Sequence, residues 1–161
     1  MNYDEAFISA VEIQQEIACY CSMCEIAGSI RRKKADIIKD IEIVAMPIQR
    51  YAGQLKDIVN KKWGPPLAGA FPSKYTKIRA RLCIDFFWCL DPRAWGMLLW
   101  IRTGPAEYVV DGLRHWKMIS NGGYSKDCLL YDGSGKLVPT PEEQDVFDAF
   151  QITWTEPEKR K

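Results

Sequence analysis

Gly28-Ser29-Ile30-Arg31-Arg32, followed seven residues on by Lys39-Asp40-Ile41-Glu42-Ile43-Val44, is the stretch whose reading decides the fold. Cys21 to Ala27 is short and apolar and runs into Gly28-Ser29, a strand ending in a turn. Asp40 to Met46 alternates, with Ile41 and Ile43 toward one face and Asp40 and Glu42 toward the other. That is the pattern of a half-buried strand, closed by Pro47. A glycine turn beside a hydroxyl and guanidinium groups offers N–H donors and positive charge to a polyphosphate. Two carboxylates on one strand face repel unless a cation stands between them, so a divalent-metal site explains them naturally. Each half alone is common: a solvated charge run accounts for the first and a polar outer strand face for the second.

Working outward, Asn2 with Glu5 forms a capping box for a helix over about 3–18. Arg31 to Lys39 reads as a basic loop or short helix. Tyr51, Leu55, Ile58 and Val59 mark a helix over about 48–62. Gly64-Pro65-Pro66 and Pro72 break the chain, and Thr76 to Cys89 reads as one long strand. Along it Ile78, Ala80, Leu82 and Ile84 face one way, and Lys77, Arg79, Arg81, Cys83 and Asp85 the other. Asp91-Pro92 caps a helix to about Arg102. A second helix over 106–120 stops at Asn121-Gly122-Gly123. Leu129 to Val138 reads as a hairpin turning at 132–135, and Thr140 with Glu143 as a capping box for a last helix to Phe150.

With 161 residues, 47% hydrophobic and 27% charged, the chain suits one globular domain or two small lobes. No run approaches the length of a membrane span. The acidic N-terminus leads no apolar segment, so an export signal is not expected and the protein is expected inside the cell. Net charge is +1. Its distribution says more: residues 1–30 carry five acidic and no basic side chains, and residues 31–81 thirteen basic against four acidic. One basic segment in a near-neutral chain marks a local anion-binding face. Cys19, Cys21 and Cys24 are crowded, but no second Cys/His pair at ligand spacing comes after them. Together with Cys83, Cys89 and Cys128 they read as reduced thiols rather than a zinc site or disulfides.

The glycine-serine turn with two arginines, followed at this spacing by Asp40-Ile41-Glu42, resembles the palm motif of the nucleotidyltransferase superfamily. Within it, the second arginine is similar to that of the family X DNA polymerases, the polymerase beta relatives. Ile84-Asp85-Phe86 resembles the strand carrying that family's third carboxylate. Trp95 to Gly104 is similar to its segment ending in a Thr-Gly turn. Leu130-Tyr131-Asp132, Glu142-Glu143, Val146-Phe147 and Pro157 to Arg160 are similar to its C-terminal tail. The resemblance runs in order from about 24 to 160.

The resemblance implies an α+β protein: a nucleotidyltransferase palm with a mixed β-sheet over residues 1–104 and a small α/β C-terminal lobe over 105–161. Asp40, Glu42 and Asp85 would be the catalytic, metal-binding residues, holding two divalent cations, Mg2+ or Mn2+. Gly28, Ser29 and Arg32 would bind the nucleoside triphosphate, with Thr103 and Gly104 beside its sugar. Arg79, Arg81, Arg114 and Lys117 are the expected nucleic-acid contacts. The implied function is DNA-directed DNA synthesis on a primer-template or gapped DNA, short-patch and of low fidelity, by a monomer without a membrane partner.

Three departures from the family pattern bear on this. Glu42 stands where the family has Asp. Ile101 and Arg102 replace the aromatic pair before the Thr-Gly turn, which weakens the expected sugar discrimination. Val109 and Leu113 occupy positions where the family places an amide and an arginine near the nascent pair. The lyase and helix-hairpin-helix modules have no counterpart in these residues. Two alternatives remain: a template-independent, RNA or small-molecule nucleotidyltransferase, and a catalytically silent DNA-end binding module. Trp88, Trp95, Trp100 and Trp116 fall at apolar-periodic positions and read as core; Trp63, Tyr75 and Tyr124 are the fairer aromatic candidates for a nucleic-acid contact.

Overall fold

The computed structural model describes residues 1–34, 37–69, 75–79 and 83–161, with Tyr75 and Arg79 described in backbone only. The protein is α+β. Its described residues form a five-stranded mixed sheet, a small three-stranded sheet and six α-helices. They divide into two compact units, Met1–Leu90 and Asp91–Lys161.

In the first unit, helix α1 (Tyr3–Ala18) begins where expected: the Asn2 side chain accepts the Glu5 N–H at 2.9 Å. Strand β1 (Cys21–Ile26) leads into α2 (Gly28–Arg31), a single helical turn, and then into β2 (Asp40–Pro47). Helix α3 (Ala52–Trp63) is followed by β3 (Ala68–Gly69), β4 (Tyr75–Arg79) and β5 (Cys83–Trp88). The sheet order is β1-β2-β5-β4-β3, with β2 and β5 parallel and the other neighbours antiparallel.

The single long strand expected over 76–89 is instead two strands of a hairpin. Ile78 pairs with Ile84 and Lys77 with Asp85. The Ala80-Arg81-Leu82 segment between them lies outside the described residues, and its sequence carries none of the Gly, Asn or Pro signals that mark turns. Because paired positions share parity, Ile78 and Ile84 still lie on one face and Lys77 and Asp85 on the other. Ile41, Ile43, Ile78, Ile84, Phe86 and Trp88 gather with Ala10, Ile13, Ile17, Leu55 and Val59 in one core, so α1 and α3 cover this face of the sheet. Fully burying each such aliphatic or aromatic side chain contributes about 1.5–3 kcal/mol. Trp88 is tied down as well, its Nε1–H donating to the Thr76 hydroxyl at 2.9 Å.

The second unit holds α4 (Trp95–Thr103), α5 (Ala106–Ile119), the sheet β6 (Tyr124–Lys126), β7 (Leu129–Tyr131) and β8 (Leu137–Val138), and α6 (Glu143–Phe150). Asp91 caps the 3-10 turn before α4, accepting the Arg93 N–H at 2.9 Å. The lobe boundary expected at residue 104 falls inside this unit, between α4 and α5. Met97 and Trp100 of α4 share one core with Trp116 of α5, Leu130 of β7 and Val146, Phe147 and Phe150 of α6, which ties α4 to the C-terminal elements.

The hairpin turn at 132–135 forms as expected, with Asp132 Oδ1 accepting the N–H groups of Ser134 at 2.9 Å and Lys136 at 3.0 Å. The additional strand β6 makes the hairpin a three-stranded sheet. The capping box expected on Thr140 and Glu143 forms two residues later, on Glu142 and Asp145. Thr140 and Glu143 are used otherwise. Thr140 is buried and donates from its hydroxyl to the Arg93 carbonyl at 3.2 Å. The Glu143 carboxylate accepts from Arg160 Nη1 at 2.6 Å, a buried ion pair, and the Arg160 guanidinium also lies over the rings of Phe147 and Trp154.

Candidate active site

Three carboxylates are set on one face of the first unit's sheet by strand register. In the parallel β2/β5 pair, Glu42 stands opposite Asp85 and Asp40 opposite Cys83. Asp40 and Glu42 therefore share a face with Asp85, while Ile41, Ile43 and Ile84 point into the core on the other. The face is fixed because a one-residue slip would bring the isoleucines out and the carboxylates in. Asp85 is buried; Asp40 and Glu42 are half-buried.

The phosphate-binding candidates adjoin this face. The backbone N–H of Ala27 donates to the Glu42 carbonyl at 2.9 Å, which places the start of α2 directly beside β2. Gly28 has φ +61°, a left-handed backbone that glycine adopts without strain. A Cβ placed on it would overlap Oε2 of Glu42 and stand 2.6 Å from its Cδ. Glycine is thus required twice over, by conformation and by close approach. Ser29 is half-exposed on the same turn, and Arg32 caps its C-terminus. Burial pulls the Arg32 guanidinium down from its ordinary value, opposed by the charge of Glu42.

Among the described residues no three His, Cys, Asp or Glu side chains are gathered closely enough to hold a metal ion. Each of two carboxylates has a cation of its own: Glu42 the charge of Arg32, and Asp85 the ammonium of Lys77, whose Nζ stands 3.4 Å from Oδ1. The donor set itself, all carboxylate oxygen on a rigid sheet, suits a hard divalent cation such as Mg2+ or Mn2+.

Lys77 was legible as a neighbour of this face but not as a partner of Asp85. Only the hairpin pairing puts them side by side. Arg79 pairs in backbone with Cys83 at the end of β4, and Arg81 lies outside the described residues.

The remaining candidates sit in the second unit. Thr103 ends α4 with its side chain buried. Gly104 comes next, its N–H donating to the Trp100 carbonyl at 3.0 Å, and a Cβ there would stand 2.9 Å from Val109 Cγ2 and 3.0 Å from Tyr108 Cδ1. The glycine is a packing requirement of the α4–α5 turn. Val109 and Leu113 pack against the core, so neither is free to read a base pair. Arg114 and Lys117 are exposed on α5, Arg114 in an ion pair with Asp111 at 3.1 Å. His115 is half-buried, its Nε2 2.8 Å from the Phe150 carbonyl. Trp88, Trp95, Trp100 and Trp116 are all buried. Of the other aromatics, Trp63 packs against the core, whereas Tyr124 is exposed and stacked on Tyr131.

All six cysteines are free. Burial pushes the Cys21 and Cys24 thiols up to about 12, with Cys19 adding to the first and Cys21 and Glu25 to the second. Among the described residues no helix is long and apolar enough to cross a membrane. No protein-family model matches the sequence, and no curated protein matches it.

Proposed function

We propose that this chain is a nucleotidyltransferase that extends a DNA primer on a template, filling short gaps with deoxynucleotides. The observation that carries the reading is the register of β2 on β5, which sets Glu42 beside Asp85 with Asp40 on the same face, next to the Gly28 turn and Arg32. Drawn together from this face, Asp40, Glu42 and Asp85 would hold two divalent cations, Mg2+ or Mn2+. Such ions stabilise negative charge on the attacking and leaving oxygens of a phosphoryl transfer. The reaction joins the primer 3′-oxygen to the α-phosphorus, breaks the bond to the β-phosphate bridge, and releases pyrophosphate and the hydroxyl proton.

The chain's own groups do the rest. Ser29 and Arg32 hold the outer phosphates, with the backbone at Gly28 able to approach closely because it has no side chain. Arg32 exchanges the charge of Glu42 for that of phosphate as the nucleotide binds. Thr103-Gly104 on the sugar side, and Arg79, Arg81, Arg114 and Lys117 on the nucleic acid, belong to the same proposal, as does action as a monomer. The buried Thr103 side chain leaves the sugar to the backbone of this turn.

The test is extension of a labelled primer with Mg2+ and the four deoxynucleoside triphosphates, on single-stranded primer, on primer-template and on gapped duplex. Extension that copies the template and is favoured by a gap supports the reading. Untemplated extension would move the chain to a template-independent nucleotidyltransferase. Binding to DNA ends without extension would make it a silent end-binding module.

A further inference from the structure

Cys83 stands two residues before Asp85 on the same strand face, opposite Asp40. The cation beside Asp85 comes from the next strand. The β4/β5 pairing sets Lys77 opposite Asp85, and its Nζ reaches to 3.4 Å from Oδ1, with the lysine about one-third exposed and the aspartate nearly buried. A buried carboxylate needs such compensation, because desolvation disfavours its charge. A divalent cation at the same carboxylate would need the same oxygen electrons and would be repelled by the ammonium group. Lys77 has a long flexible stem with its head near solvent, so it is able to move aside.

We infer that Lys77 is a built-in counter-ion of the third carboxylate, holding Asp85 in place and yielding it when a divalent cation arrives. This rests on the reading of the carboxylate face as a metal site. Lys77 is a positioning residue in this account, and metal affinity is set partly by the work of displacing it.

The experiment is Mn2+ binding, followed by the electron paramagnetic resonance of free Mn2+, on the protein without DNA or nucleotide. Removing the charge in Lys77→Met tightens Mn2+ binding by about threefold to tenfold, since one cationic competitor is lost. Lys77→Arg restores affinity to near the wild-type value. A lysine with a merely structural role would leave affinity unchanged or weaken it, and either result in a folded Lys77→Met protein would overturn the inference. A second readout uses the wild type alone: Mn2+ raises the rate at which an acetylating reagent modifies Lys77. An unchanged rate at saturating Mn2+ would also overturn it. Wild-type protein that takes up no Mn2+ would sink the metal site itself, a separate failure from that of Lys77.

Discussion

The carboxylate of Glu42 lies against the Cα of Gly28, so close that a methyl group at position 28 would overlap it. Gly28→Ala therefore meets two obstacles, a left-handed φ of +61° and the displaced glutamate. The backbone conformation alone costs about 1–2 kcal/mol in a residue with a side chain. Urea denaturation is expected to show at least that loss, together with loss of primer extension. A variant with an unchanged midpoint would show that Glu42 does not hold this position in solution.

Arg160 and Glu143 form the most buried ion pair among the described residues, and it closes the second unit onto its last residues. Arg160→Met leaves the Glu143 carboxylate buried without its partner, a loss of about 3–5 kcal/mol. The double variant Arg160→Met/Glu143→Leu recovers part of this, because replacing both charges removes the desolvation penalty. Equilibrium unfolding of the three proteins checks it; a single variant within about 0.5 kcal/mol of wild type, the ordinary range for a surface substitution, would contradict the pairing.

The thiols of Cys21 and Cys24 are expected to resist alkylation. With values pushed up to about 12, each holds far less thiolate at pH 8 than an unperturbed cysteine. Iodoacetamide labelling read by mass spectrometry should modify the exposed Cys19 first, and Cys21 and Cys24 only after denaturation. The linkage has a definite sign. Both values are raised on folding, so their contribution to stability is whole below the unfolded thiol value of about 8.5 and is lost as pH rises from there toward 12. Stability that is flat across that alkaline range would contradict the burial of these groups.

Arg114 and Lys117 stand exposed on α5, and the Arg114–Asp111 pair is too solvated to hold the guanidinium strongly. If they meet phosphates, Arg114→Ala/Lys117→Ala weakens DNA binding at all sequences alike and lowers the slope of log affinity against log salt by about two. An unchanged slope would remove both residues from the nucleic-acid face.

Much of this arrangement is legible in the residues alone. Alternation places Asp40 and Glu42 opposite Ile41 and Ile43, and the sheet keeps that division. Asn2 and Asp91 announce their helix starts, because a side-chain acceptor next to an apolar period is a local signal. The β4/β5 hairpin is not legible, since the sequence between the two strands carries no turn signal and the strands read as one alternation. With it goes the Lys77–Asp85 contact, which exists only through cross-strand pairing. Thr140 and Glu143 have the spacing of a capping box, but Arg160, seventeen residues on, takes the glutamate. A local motif loses there to a tertiary ion pair.

The central claim is that Asp40, Glu42 and Asp85 together carry nucleotidyl transfer. The most direct measurement is single-nucleotide incorporation into a gapped duplex with Mg2+, comparing wild type with Asp85→Ala, with circular dichroism showing both folded. The account predicts templated incorporation by the wild type and none above background by Asp85→Ala, because the two-ion site then lacks one of its three carboxylates. Incorporation by a folded Asp85→Ala protein at the wild-type rate would contradict it.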